Sequence, residues 1–204
     1  MRDIFLTGPK HSGKTSAGKT LAQIYLFEFI DLDEIIFQQT GKTPRQLFLE
    51  SQAVFQKAET DALNLILDSG GTDLGNVDSC GADSGCIVSN GAESGDIRRV
   101  IAAGGGIIDN IEAVDTLKKI DAIIVYLDIS AAAAWNRIIN SNGGELPPFL
   151  KTDDPKKSGE EIHRELHDRR AAGYSRISNI IIKTDGKTPE EIAAEIQENL
   201  LSSI

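Results

Sequence analysis

Residues 8–15, which read Gly-Pro-Lys-His-Ser-Gly-Lys-Thr, match the pattern G-x-x-x-x-G-K-[ST] of loops that bind nucleotide phosphates. The apolar run Ile4–Leu6 predicts a short buried strand before this loop, and the residues after it predict the start of a helix. In that setting, backbone N–H groups of the loop and the positive end of the helix dipole converge on one place, which favours phosphate oxygens. We therefore predict that the chain binds a nucleotide.

Two side chains of this loop have predicted roles in the chemistry. Lys14 would reach the β- and γ-phosphates of the nucleotide, and the Thr15 hydroxyl would bind Mg²⁺. His11 stands at a position that varies in the general loop pattern. The nucleotide-binding residues predicted from the loop are Gly8, Lys10, His11, Ser12, Gly13, Lys14, Thr15 and Ser16.

A pair of carboxylates, Asp31 and Asp33, follows the apolar residues Phe29-Ile30 at the end of a predicted strand. The carboxyl ends of parallel strands face the ligand crevice of an α/β sheet, where the phosphate loop also lies. If strand geometry persists, both side chains point to the same side. One would then serve Mg²⁺ and the other would orient or deprotonate an attacking hydroxyl. The alternative is a solvated acidic turn or a helix cap; the phosphate loop favours the functional interpretation.

Three consecutive glycines, Gly104, Gly105 and Gly106, follow a predicted strand that begins at Val100. Because glycine has no Cβ, such a segment lets the backbone approach a ligand closely and present N–H groups to it. A flexible strand-to-helix turn would have the same composition. The triplet is therefore weak evidence when it is taken alone.

The composition is typical of a single globular domain. The chain has 204 residues, of which 40% are hydrophobic and 25% charged, with a formal net charge of −10. This acidity argues against nucleic-acid binding, which requires a basic surface. No apolar run is long enough for a membrane span, and the N-terminus leaves no space for a signal peptide, so we expect a cytoplasmic protein. Cys80 and Cys86 are expected to be free thiols, because a zinc site needs further ligands.

Short apolar strands alternate with amphipathic helices, which predicts a mostly parallel sheet covered by helices on both faces. The predicted strands are 4–6, 29–30, 100–103, 122–127 and 180–182. The predicted helices are 15–27, 45–68, 111–119, 131–139, 160–178 and 189–201. Residues 69–96 are rich in Gly, Ser, Asp and Asn and contain a near repeat, so we interpret them as a surface insertion.

Together, the phosphate loop, the Asp-x-Asp pair and the glycine triplet resemble the shikimate kinase family. The similarity continues in residues 55–59, which correspond to the family's Phe-Arg-x-x-Glu, and in residues 125–128, which correspond to its fourth strand. Residues 169–174 correspond to its Arg-x-x-x-Tyr, with Arg170 in register. The resemblance covers the whole chain except the insertion.

The resemblance implies a three-layer α/β P-loop kinase fold of the nucleoside-monophosphate-kinase type. A single domain would span residues 1–204, with a small lid around residues 140–159. The implied reaction is ATP-dependent phosphorylation of the 3-hydroxyl of shikimate, in the chorismate branch of aromatic amino-acid biosynthesis. Positioning and charge stabilisation would supply most of the rate of this in-line transfer.

The resemblance also implies a role for each candidate residue. Asp33 would contact the substrate hydroxyls and act as the base, Asp31 would lie near Mg²⁺, and Arg137 would lie against the nucleotide. The implied catalytic residues are Lys14, Asp31 and Asp33, and the metal-binding residues are Thr15 and Asp31. The implied substrate-binding residues are Asp33, Gln56, Lys57, Gly104, Gly105, Gly106 and Arg170. Of these, Arg170 suits bidentate pairing with a substrate carboxylate.

Three positions depart from the family pattern. Gln56 stands where the family has a second carboxylate-binding arginine, and Arg45 is nearby in sequence. Residues 147–150 read Pro-Pro-Phe-Leu in place of Arg-Pro-Leu-Leu, so the lid arginine is missing from its register and Lys151 is the nearest cation. His11 replaces a glycine of the family's phosphate loop.

These departures leave more than one function open. The first is phosphoryl transfer from MgATP to a small hydroxy acid, with shikimate as the leading acceptor. The second is a related kinase for another hydroxylated metabolite such as gluconate, and the third is a weakly active nucleotide-binding module with a regulatory role. In each case the expected partner is a small molecule, with no nucleic acid or membrane, and we expect a monomer or weak dimer.

Overall fold

The computed structural model describes residues 2–69, 99–141, 146–147, 150 and 157–202. The predicted insertion and its two cysteines lie outside this part of the chain, except for its first residue, and so do most residues of the predicted lid. Within the described ranges, no helix is both long and apolar enough to cross a membrane.

Five parallel strands form one sheet in the order β2–β3–β1–β4–β5. The strands are β1 (Asp3–Thr7), β2 (Glu28–Asp31), β3 (Arg99–Ala102), β4 (Ala122–Asp128) and β5 (Ile180–Lys183). The central strands are nearly continuous runs of β-branched and apolar residues, as expected for strands that are buried on both faces. All five predicted strands are present, and the predicted parallel α/β sheet is confirmed.

Helices cover both faces of this sheet. The eight within the described residues are α1 (Lys14–Tyr25), α2 (Leu32–Thr40), α3 (Pro44–Glu50), α4 (Gln52–Asp68), α5 (Ile111–Lys119), α6 (Ala131–Ser141), α7 (Gly159–Ile177) and α8 (Pro189–Ser202). Alternation along β1 shows how the layers form. Leu6 packs in a core cluster with residues of α1 and α8, whereas Phe5 packs on the opposite face with residues of α2, α4 and α5.

The predicted single helix over residues 45–68 is wrong, because Ser51 divides it into α3 and α4. Ser51 has extended backbone angles (φ −170°, ψ 140°), and its hydroxyl accepts a hydrogen bond from the N–H of Ala53 at 3.2 Å. Serine is a favoured N-cap because its side chain satisfies an unpaired N–H of the first helical turn. At its other end, α3 begins with a capping box between Thr43 and Gln46.

Arg99 joins the two ends of chain that flank the insertion. Its guanidinium is buried and donates to the Asp3 carboxylate from Nη2 (2.5 Å) and Nε (3.1 Å). Its Nη1 donates to the Ile66 carbonyl (2.5 Å) and to Ser69 Oγ (3.3 Å). The end of α4 and the start of β3 are therefore held side by side.

Because these ends meet, we predict that replacing residues 71–95 with a short Gly-Ser linker leaves the fold and the catalytic constants nearly unchanged. A shorter loop costs little to close when its ends are already adjacent. Thermal unfolding and steady-state kinetics measure the effect. Arg99→Gln is the contrasting variant, because it leaves the partly buried Asp3 carboxylate without its cation, and it is expected to lower the free energy of unfolding by about 3 kcal/mol. A large fall in Tm or in acceptor affinity of the shortened protein would contradict the surface-insertion interpretation.

Candidate active site

The phosphate loop between β1 and α1 has a backbone suited to an anion. Gly8 (φ 140°) and Gly13 (φ 100°) have positive φ angles, and a Cβ on Gly8 would lie 2.5 Å from the Leu127 carbonyl oxygen. Ser12 Oγ is buried and has no hydrogen-bond partner within the described part of the chain. Since buried hydroxyls are normally paired, the orphaned Ser12 hydroxyl suits a phosphate oxygen.

Lys14 begins α1 and turns back over this loop. Its Nζ donates to the carbonyl oxygens of Gly8 (2.9 Å) and Pro9 (2.8 Å). Loss of solvent around the ammonium lowers the pKa of Lys14 to about 8, although the carboxylates of Asp33 and Asp31 act in the opposite direction. A cation held by carbonyl dipoles in a desolvated loop gains a stronger partner when a phosphate arrives.

The Asp31 carboxylate connects the phosphate loop to α2. Its Oδ2 accepts a hydrogen bond from the Thr15 hydroxyl at 2.9 Å, and its Oδ1 accepts one from the Asp33 N–H at 3.1 Å. Asp31 thus caps α2 and also stands beside Thr15 in the cavity. These two oxygen donors suit a hard divalent cation such as Mg²⁺.

Asp33 does not continue the strand, as the sequence suggested, but lies in the first turn of α2. The helix takes over because Asp31 caps it directly at the end of β2. Asp33 still lines the same cavity as Asp31. Desolvation by the cavity walls raises the pKa of the Asp33 carboxyl, as does the negative charge of Asp31, while Lys14 opposes the rise. A raised pKa is closer to the pKa that an effective general base has at neutral pH.

The glycine triplet after β3 lets three parts of the site approach each other. A Cβ on Gly105 would lie 2.9 Å from the backbone nitrogen of Lys10 in the phosphate loop. A Cβ on Gly104 would lie 2.9 Å from Glu59 Oε1 and 3.3 Å from Asp33 Oδ1. Larger residues would therefore push β3 away from both the loop and the acidic residues.

Arg170 projects from α7 to this glycine segment and is firmly held there. Its Nε and Nη2 donate to Asp109 Oδ2 at 2.9 and 2.6 Å, and its Nη1 donates to the Gly105 carbonyl at 3.3 Å. The Tyr174 hydroxyl donates to the same carbonyl at 2.5 Å. Asp109, which the sequence analysis did not single out, therefore neutralises part of the Arg170 charge, and the more exposed Arg169 shares the same carboxylate oxygen.

A single cavity of about 640 Å³ brings these groups together. Its walls include most of the predicted nucleotide-binding residues together with the acidic pair, the glycine triplet and Arg170. They are Lys10, His11, Gly13, Lys14, Thr15, Ser16, Asp31, Asp33, Pro44, Arg45, Phe48, Phe55, Ala103, Gly104, Gly105, Gly106, Arg137, Leu146, Pro147 and Arg170. Of the predicted lid, Leu146 and Pro147 lie at this wall.

Arg137 lies at the nucleotide end of the cavity. Its Nη1 donates to the His11 carbonyl at 2.9 Å, which places its charge directly over the phosphate loop. His11 adopts the left-handed conformation (φ 63°), so the family's glycine is not required for this backbone. Partial burial lowers the pKa of the His11 imidazole, as do the neighbouring cations, first Lys10.

Gln56 and Lys57 do not line the cavity, unlike the other predicted substrate-binding residues. The Gln56 side-chain nitrogen donates to the Asp109 carbonyl at 2.9 Å, so Gln56 supports the segment that holds Arg170. Lys57 is exposed and pairs with Asp61 one turn later on α4. The α3 residues of the wall, by contrast, were not predicted to bind substrate. The capping box at residues 43–46 could have indicated that a separate helix begins there.

Glu59 is a fully buried carboxyl group directly behind the glycine triplet. Its Oε2 accepts a hydrogen bond from the Asn110 side chain at 3.1 Å, whereas Oε1 has no partner within the described residues. Burial, together with the charge of Asp33, raises the pKa of Glu59 to about 7, against the effect of the Asn110 hydrogen bond. The motif similarity included Glu59 but gave it no role.

Comparison with known proteins identifies the family to which this arrangement belongs. The family model for shikimate kinase matches residues 10–94 and 87–201. The chain belongs to the shikimate kinase family. It is therefore a phosphotransferase with an alcohol group as acceptor, in a family that uses ATP together with a divalent metal ion. Both the predicted family and the predicted P-loop kinase fold are confirmed.

Individual relatives cover nearly the whole chain. A shikimate kinase from Marinomonas sp. is 30% identical over 195 residues, which are 95% of this chain and 89% of that protein. One from Thermodesulfovibrio yellowstonii is 29% identical over 197 residues, 96% of this chain and 93% of that protein. The solved structure of shikimate kinase from Acinetobacter baumannii in complex with shikimate has a TM-score of 0.76 and 25% identity, and covers 100% of this chain and 94% of that one.

Glu59 makes the stability of this shikimate kinase family member depend on pH. Its pKa in the folded state, about 7, is higher than the ordinary value of 4.5, so its stabilising contribution is complete below about pH 4.5 and is lost as the pH rises through 7. We predict that Glu59→Gln is more stable than the parent at pH 8, by on the order of 2–3 kcal/mol, and loses this advantage at pH 5.

Urea unfolding at both pH values measures this difference, with Glu34→Gln, which alters an exposed carboxylate, as the control. Equal pH dependence of the parent and Glu59→Gln would show that Glu59 is ionised without penalty in the folded protein.

Proposed function

We propose that this protein transfers the γ-phosphoryl group of ATP to the 3-hydroxyl of shikimate. The observation that carries the proposal is that one cavity is lined both by a phosphate loop and by Asp33, the glycine triplet and Arg170. A phosphoryl donor and a hydroxy acid can therefore occupy the same cavity. The names of the relatives support the choice of acceptor, and one of the similar solved structures contains shikimate.

The nucleotide would lie along the N-terminus of α1. The loop N–H groups and the orphaned Ser12 hydroxyl would bind phosphate oxygens, with Lys14 and Arg137 supplying positive charge. The oxygens of Thr15 and Asp31 would hold Mg²⁺, which fits their spacing in the cavity. Bound Mg²⁺ would neutralise charge on the phosphate oxygens. This charge stabilisation and the fixed positions of the groups supply most of the rate of such transfers.

Asp33 would accept the proton of the attacking hydroxyl. It stands between the phosphate loop and Gly104, and its raised pKa suits proton abstraction near neutral pH. Arg170 would bind the acceptor's carboxylate with the donor hydrogens that Asp109 and Gly105 leave available. The cavity wall favours these residues over Gln56 and Lys57 as the substrate-binding set.

The acceptor itself is tested by a coupled assay of ATP turnover with shikimate, gluconate and their uncharged counterparts. We expect the highest kcat/KM for shikimate. A clear preference for gluconate would replace shikimate by another hydroxy acid, and turnover with neither the acids nor their uncharged counterparts would favour a nucleotide-binding module without kinase activity.

Lys14→Ala is predicted to lower phosphoryl transfer more than tenfold without unfolding the protein. The substitution removes the positive charge that stabilises the transferring group, a loss above ~1.4 kcal/mol.

In the parent, the KM for ATP should rise between pH 7 and pH 9, by up to about tenfold. The reason is that Lys14, with a pKa of about 8, loses the proton that phosphate attracts. Kinetics across this range measure both effects; a flat KM profile would place another cation at the phosphates.

Asp33→Asn and Arg170→Ala are predicted to fail in different ways. Asp33→Asn should lower kcat at least a hundredfold and leave the KM for ATP nearly unchanged, because it removes a base and little volume. Arg170→Ala should mainly raise the KM for shikimate. Steady-state kinetics with both substrates separate the two effects. If Arg170→Ala used shikimate as the parent does, the acceptor carboxylate would not lie at Arg170.

A further inference from the structure

Arg45 is a cation of the cavity wall that has no partner among the described residues. It lies in the first turn of α3, is exposed to solvent, and lines the cavity. No hydrogen bond or ion pair joins its guanidinium to any described residue. By contrast, the nearby Lys42 is paired with Glu50. None of the five N–H donors of Arg45 is used within the described part of the chain.

The position of Arg45 is at the acceptor end of the cavity. Phe48 follows Arg45 by three residues on α3, a spacing that places two side chains on one helix face. The Phe48 ring meets the Phe55 ring edge to face, with centroids 6.2 Å apart. A Cβ on Gly106 would lie 4.0 Å from Phe55 and 3.7 Å from Arg170 Nη2. A continuous wall thus leads from Arg45 over two aromatic rings to Arg170.

Arg170 alone is a weakened anchor for an anion. Three of its N–H donors are used by Asp109 and Gly105, and the Asp109 carboxylate offsets its charge. Gln56, on the neighbouring helix α4, directs its side-chain nitrogen to the Asp109 backbone and brings no charge. An acidic acceptor would therefore gain from a second cation, and Arg45 supplies one on α3 that has no partner among the described residues.

We infer that Arg45 binds the anionic group of the acceptor and determines that this enzyme selects a hydroxy acid over a neutral polyol. This inference rests on the proposed function, because it assigns the acceptor's charge within the same site. The aromatic rings between Arg45 and Arg170 would pack against the carbon skeleton of the acceptor, and Arg45 would supply a second positive charge to its anionic group. Arg45 acts on binding and takes no part in the transfer itself.

The test compares Arg45→Gln and Arg45→Lys with the parent, using shikimate and its uncharged methyl ester. Lys42→Gln is the matched control, because it removes one positive charge three residues away, outside the cavity wall. We expect Arg45→Gln to raise the KM for shikimate at least tenfold, with kcat, the KM for ATP and the KM for the ester within about twofold of the parent. The KM of Arg45→Lys for shikimate should lie between those of the parent and Arg45→Gln.

Each outcome decides the inference. Equal KM values of Arg45→Gln and Lys42→Gln for shikimate would overturn it, and so would a rise that is the same for the acid and the ester, which would indicate a change of cavity shape. Calorimetric titration of shikimate into each folded variant checks the result without turnover.

Failure of the proposed function has a separate signature. If the parent prefers another hydroxy acid, the same comparison is made with that acid and its ester, and a charge-dependent rise in KM supports Arg45 while shikimate is withdrawn. If the parent phosphorylates only neutral polyols, both fail. If it phosphorylates shikimate and Arg45→Gln does so equally well, the inference alone fails.

Discussion

The close packing of the β3 glycines against the phosphate loop is the constraint on which the rest of the site depends. Gly105 leaves no space for a Cβ beside the backbone of Lys10, and Gly104 leaves none between Glu59 and Asp33. Because the loop follows β1 and the glycines follow the adjacent strand β3, sheet pairing fixes the two segments side by side. The nucleotide end and the acceptor end of the cavity are therefore held at a set distance before any ligand binds, which is the geometric requirement of in-line transfer.

This packing also determines the electrostatics of the site. Lys14 and Asp33 lose solvent in the same cavity, so the pKa of the lysine falls and the pKa of the carboxyl rises. The pKa of Glu59, which is buried more deeply, is raised like that of Asp33. A cation with reduced pKa and a base with raised pKa are both closer to neutral pH than their solvated counterparts. Carboxyl groups that are desolvated in the site before the substrate binds lower the stability of the folded protein.

The acceptor end differs from the pattern that the family resemblance implied. Gln56 takes the place of an arginine and supports the Asp109 backbone, while the Asp109 side chain holds Arg170. Arg45, on a different helix of the same wall, has no partner in the part of the chain that the structure describes. The positive charge available to an acceptor is thus distributed differently over the wall, while the nucleotide end keeps the loop lysine and threonine.

The sequence by itself determined the strands, most helices, the parallel sheet and the phosphate loop, because local hydrophobic periodicity and short motifs encode these features within a few residues. It did not determine the break at Ser51 or the helical position of Asp33. Both depend on a side chain that caps a helix, and hydrophobic periodicity does not show whether that cap forms. The pairing of Asp109 with Arg170 and the placement of Arg45 in the cavity wall were decided by tertiary structure alone. Such contacts join residues far apart in the chain, and only the packing of whole helices on the sheet specifies which side chains meet.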